Sequence, residues 1–61
     1  PQDFLDALAG NPAAQAFYGT LDGRNRYALV YRLQSAKRPE TRARRIEAFV
    51  QQLAEGRRFH D

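Results

Sequence analysis

The sequence contains no cysteine. That excludes a disulfide framework and any thiolate metal site, and it leaves the redox compartment unread. No apolar run approaches the roughly 18 residues that a membrane-spanning helix needs, and the N-terminus lacks the basic-then-apolar order of a secretory signal. Histidine occurs once, as His60, with neither a second histidine nor a carboxylate cluster at ligand spacing, so no metal is expected. A nucleophile beside its base, paired carboxylates and a phosphate-cradling glycine loop are all missing. The expectation is a domain with no catalytic residues, no cofactor and no enzyme activity. Repeats, low-complexity tracts and the alternating pattern of strands are absent as well.

What is present is short and basic. Sixty-one residues make one domain, and a chain of this size buries only about 60% of the surface it exposes when unfolded. Helix packing must therefore supply most of the stability. The start at Pro1, without a methionine, reads as an excised or processed piece of a longer chain. Ten Lys and Arg against seven Asp and Glu give a net charge of +3 and a pI near 10.0. Such an excess suits nucleic acid, anionic lipid or an acidic protein. The arginines of the last third alternate with Glu40, Glu47 and Glu55, which is the pattern of a solvated face.

Four helices are predicted, joined by short loops: two short N-terminal ones and two longer C-terminal ones, in an all-α bundle. In residues 3–9, Phe4, Leu5 and Leu8 share one face, and Gly10 ends the helix. Asn11 is an N-cap with Pro12 at the first helical position. Ala14, Phe17, Tyr18 and Leu21 follow at helical spacing, with a stop near Thr20. Asp22 caps a third helix over residues 23–36. Its wheel places Tyr27, Val30 and Tyr31 on one side and Leu29, Leu33 and Ala36 opposite. That pattern predicts a central helix covered on both flanks, with Arg24, Arg32 and Ser35 on the wet strip. Tyr18, Tyr27 and Tyr31 among basic residues suit stacking platforms for single-stranded nucleic acid, but the helical i, i+4 spacing favours tyrosines half-buried in the core with their hydroxyls at the rim. Pro39 opens the last helix, Glu40 complements its dipole, and Gly56 stops it. Its apolar face is Ala43, Ile46, Phe49, Val50, Leu53 and Ala54. The tail has no period; Phe59 either folds back onto the core or leads into further chain.

Arg42 is the most specific feature. Taking it as the zero of the last helix's wheel, Phe49 falls at roughly −20°, Leu53 at +20° and Ile46 at +40°. Arg42 thus lies inside the apolar stripe, where a guanidinium must snorkel out or find an acceptor. Arg38 and Arg45 flank the stripe, and Arg44 points away within reach of Glu40 and Glu47. The structural reading pairs Arg42 with Asp3, Asp6 or Asp22. The functional reading makes Arg42, with Arg45 and Lys37, an anion site at the start of the last helix.

The run Ala36-Lys37-Arg38-Pro39-Glu40-Thr41-Arg42-Ala43-Arg44-Arg45-Ile46, with Leu53-Ala54-Glu55-Gly56 after it, resembles the signature of the bacterial YdeI/OmpD-associated, or bacteriocin-protection, family. Upstream, Phe4-Leu5-Asp6-Ala7-Leu8, the Asn11-Pro12 step, Phe17, Leu21 and Tyr27 agree. The chain departs in carrying Tyr31 where the family's third helix usually has a tryptophan. The resemblance implies a small helical domain, residues 1–61 here, forming the C-terminal part of a longer bacterial protein. It also implies a link to resistance against bacteriocins or cationic peptides, to envelope stress and to outer-membrane proteins. It supplies no catalytic residues; Lys37, Thr41, Arg42 and Arg45 are the positions that match its motif, and with them the candidate set for binding an anion or a partner is complete. The function expected is a protein-interaction domain with a protein partner, outer-membrane associated in some members. The alternative is a nucleic-acid-binding module using the basic start of the last helix. A third reading has the domain stabilise or dimerise a longer chain through Phe59 and the tail. The expected location is the cytoplasm, or the periplasm if a signal segment precedes this chain.

Overall fold

The computed structural model describes residues 2–59. It is all-α, with α1 (Gln2–Ala9), α2 (Pro12–Tyr18), α3 (Gly23–Gln34) and α4 (Pro39–Ala54). Each boundary has a local cause. The Asn11 side chain accepts from the Ala14 N–H at 3.1 Å, and Pro12 stands where no amide is needed. Asp22 Oδ1 accepts from the Asn25 N–H at 3.0 Å and starts α3. α4 begins at Pro39 and ends in a Schellman turn. There Gly56 takes φ +74°, its N–H donates to Leu53 O at 2.9 Å, and the Arg57 N–H donates to Gln52 O at 3.1 Å. α3 closes at Gln34, two residues before the expected end, because Ser35 and Ala36 turn the chain back through hydrogen bonds to Tyr31 O and Leu33 O.

α4 packs against each of the other helices, most extensively against α2. The core it closes contains Phe4 and Leu8 from α1, Ala14 and Leu21 from α2 and the turn after it, Leu29 and Leu33 from α3, and Ile46 and Leu53 from α4. Phe59 completes it. The tail folds back, and its ring, 5% exposed, meets Phe49 edge-on at 4.9 Å between centroids. Buried in this way, Phe59 is not available as a dimer contact.

Three expectations about faces are corrected. α3 is buried along one side only: Asn25, Leu29 and Leu33 point inward at four-residue spacing, while Tyr27 and Tyr31 are 72% and 63% exposed. Two apolar flanks need two covering layers, and the three other helices supply one. Leu5 is exposed as well, since α1 is a single short helix that docks through Phe4 and Leu8. Ala43 stands exposed on α4, in the open lining of a groove described below. Arg44 forms no ion pair with Glu40 or Glu47; among the described residues the ion pairs are Arg42–Asp3 and Arg57–Glu55.

Candidate functional site

The start of α4 brings the motif residues against two other helices. Arg42, one turn into α4, forks the Asp3 carboxylate, Nε to Oδ2 at 2.5 Å and Nη2 to Oδ1 at 2.8 Å. Its third nitrogen, Nη1, donates to Leu33 O at 3.1 Å. One guanidinium therefore ties α1, the end of α3 and α4 together in the bidentate geometry that arginine alone provides. Of the three candidate carboxylates, Asp3 is the partner. Asp6 instead accepts from Gln2 Nε2 at 2.8 Å, and Asp22 is committed to capping α3.

Arg45 performs a similar task one turn later. Its Nη1 donates to Arg32 O at 2.6 Å and to Ser35 Oγ at 2.7 Å, while the Ser35 hydroxyl donates to Arg32 O at 2.8 Å. A helix leaves its last four carbonyls without intrahelical partners, and its C-terminal end carries partial negative charge. For α3 those carbonyls include Arg32 O and Leu33 O, and α4 supplies an arginine for each. Arg42 and Arg45 are thus brought together on the C-terminus of α3. Lys37 is exposed on the connection between the two helices, and Thr41 is half-buried on α4.

Electrostatics at the clamp agree from both sides. The hydrogen bond from Arg42 holds the Asp3 carboxyl at about 2, below its ordinary 3.8, aided by the Phe4 N–H and opposed by partial desolvation. The same hydrogen bond raises Arg42. The side chains keep 26% and 49% of their exposure, so solvent and salt screen the pair. Because the folded-state value of Asp3 is depressed, its contribution is complete above the unfolded value of 3.8 and is lost as pH falls toward about 2. Acid titration of stability should show this loss between about pH 4 and 2 in the wild-type protein and lack it in Asp3→Asn. Parallel curves for the two proteins through that window would exclude the clamp as the cause.

Beside the clamp an open groove of about 670 Å³ runs between α1 and α4. Its floor is Ala7, Ala43, Ile46 and Val50, and Asp3 and Glu47 stand among its polar lining. Among the described residues no group of three metal-ligating side chains occurs, and no helix is long and apolar enough to cross a membrane. His60 lies outside the described residues.

Asn25 was not singled out from the sequence. It is 3% exposed, donates from Nδ2 to Asp22 Oδ1 at 3.0 Å and accepts the Phe59 N–H at 2.9 Å. Its place in register with Leu29 and Leu33 is the signal that would have found it. The spacing of Tyr27 and Tyr31 marks a shared face, and that face is exposed instead of half-buried.

No curated protein and no solved structure matches the chain. A family model described as bacteriocin-protection, YdeI or OmpD-associated matches residues 1–56. The arginine motif seen to lock three helices lies wholly inside that match, and the chain belongs to the bacteriocin-protection, YdeI or OmpD-associated family.

Proposed function

We propose that the chain is a non-catalytic protein-interaction domain acting in protection against bacteriocins or other cationic peptides, and that its binding site is the groove between α1 and α4. The observation that carries this reading is the open apolar floor of Ala7, Ala43, Ile46 and Val50 beside the clamp. Such a floor suits the apolar face of a helical segment. Glu47 is exposed and in no ion pair among the described residues, so the partner should place a basic side chain opposite it, while Asp3 is neutralised by Arg42. In this reading Arg42 serves binding indirectly, by holding α1 at the distance from α4 that keeps the groove open. Arg45, which fastens α4 to the C-terminus of α3, then belongs to the support of the site.

The test is an amide-resonance titration of the protein with a Lys/Leu amphipathic model peptide. Shifts should cluster on Ala7, Ala43, Glu47 and Val50. Ala43→Trp, which fills the groove from an exposed position, should abolish them, and Glu47→Lys should weaken them about tenfold, the loss of one close charge pair. Absence of shifts, or shifts that survive Ala43→Trp, would sink the groove as the site.

A further inference from the structure

The exposed face of α3 shares no residue with the groove. Tyr27 and Tyr31 stack on each other with centroids 6.3 Å apart and planes at 24°, and no other helix covers them. Each ring keeps an outer face open. Arg24 and Arg32 border the pair together with Ala28, and on the far side Tyr31 adjoins Gln34, Ser35 and Lys37. α3 carries Arg24, Arg26 and Arg32 and no acidic residue. Asp22, the carboxylate that precedes it, is committed to the N-cap. Arg32 is held in place by donating to Phe59 O at 3.2 Å and by resting 6.0 Å from the Phe59 ring centre. Arg24 and Lys37 have no hydrogen bond or ion pair among the described residues.

We propose that this face binds single-stranded nucleic acid, with unstacked bases against the outer faces of Tyr27 and Tyr31 and phosphates against Arg24, Arg32 and Lys37. Aromatic rings interleaved with cations are the arrangement that tracks a single strand, because every base offers a π-face and the charge repeats along its backbone. A duplex keeps its bases stacked internally and cannot use the rings. An acidic protein is the other anionic partner, but binding energy between proteins concentrates in well-packed, desolvated pockets. Here, among the described residues, the depression beside the two rings is lined otherwise by Ala28 and by two cations, Arg24 and Arg32, so charge and ring faces dominate it. The site is also distinct from the basic start of α4, whose Arg42 and Arg45 are committed to Asp3 and α3.

The experiment titrates the protein with labelled oligo(dT) and oligo(U), following anisotropy and the quenching of tyrosine emission. Binding is expected to weaken with salt, with a log–log slope of about −2 for three phosphate contacts on a single strand. Tyr27→Ala and Tyr31→Ala should each weaken it about tenfold or more while leaving the helical circular dichroism intact, and Tyr27→Phe should retain most of it. Duplex DNA and polyglutamate of matched charge should bind far more weakly. Three results would overturn the proposal: no binding at low salt, oligonucleotide binding indifferent to both tyrosine removals, or polyglutamate binding as tightly as oligo(dT). Ala43→Trp should leave oligonucleotide binding unchanged, which separates this site from the groove.

Discussion

Phe59→Ala is expected to destabilise the protein by about 3–5 kcal/mol, the cost of removing a buried phenyl ring and leaving its cavity. At roughly 0.05–0.15 kcal/mol per residue, a domain of this size has only some 3–9 kcal/mol of total stability. The substitution should therefore remove roughly a third or more of the stability. The ring is 5% exposed, meets Phe49 edge-on and lies under the Arg32 guanidinium. The backbone around it is anchored too, by Arg32 on Phe59 O and by Gln52 Nε2 on Arg58 O at 2.9 Å. Urea unfolding followed by circular dichroism would measure the loss, and Phe59→Leu, which fills part of the cavity, should lose clearly less. A Phe59→Ala protein within about 0.5 kcal/mol of wild type, the range of ordinary surface substitutions, would show that the tail is not part of the core.

The contrast between Arg42 and Phe59 shows what periodicity carries. Arg42 lies within a long helix whose phase is set by its apolar residues, so its place inside the stripe follows from counting. Its need for an acceptor follows from the cost of an unpaired guanidinium. The choice of Asp3, 39 residues upstream, depends on how α1 docks, which no local pattern encodes. Phe59 lies beyond the Schellman turn and has no phase to count from. Tyr27 and Tyr31 fail for another reason. Their spacing marks a shared face, but whether a face is covered depends on how many other elements exist to cover it. The caps at Asn11 and Asp22, by contrast, involve residues three apart and were legible, because both partners of each hydrogen bond are local.

Asn25→Ala should cost about 2 kcal/mol, because it removes the acceptor from a buried Phe59 N–H and leaves that donor unsatisfied. The loss also reaches the start of α3, since Asn25 donates from its side chain to the Asp22 carboxylate that caps it. That contact is among the causes that lower the Asp22 carboxyl, second to the Asn25 backbone N–H. Asn25→Leu should be no rescue: the extra apolar volume suits the position beside Leu29, but the Phe59 N–H still lacks a partner. The decisive measurement is a double-mutant cycle with Phe59→Ala. With the ring already removed, the tail is free to turn its N–H toward water, so Asn25→Ala has less left to disrupt. The double variant should lose less than the sum of the singles, by about 1 kcal/mol or more, as for residues in direct contact. Additivity within about 0.5 kcal/mol would mean that Asn25 stabilises α3 alone and that the tail is held by its ring.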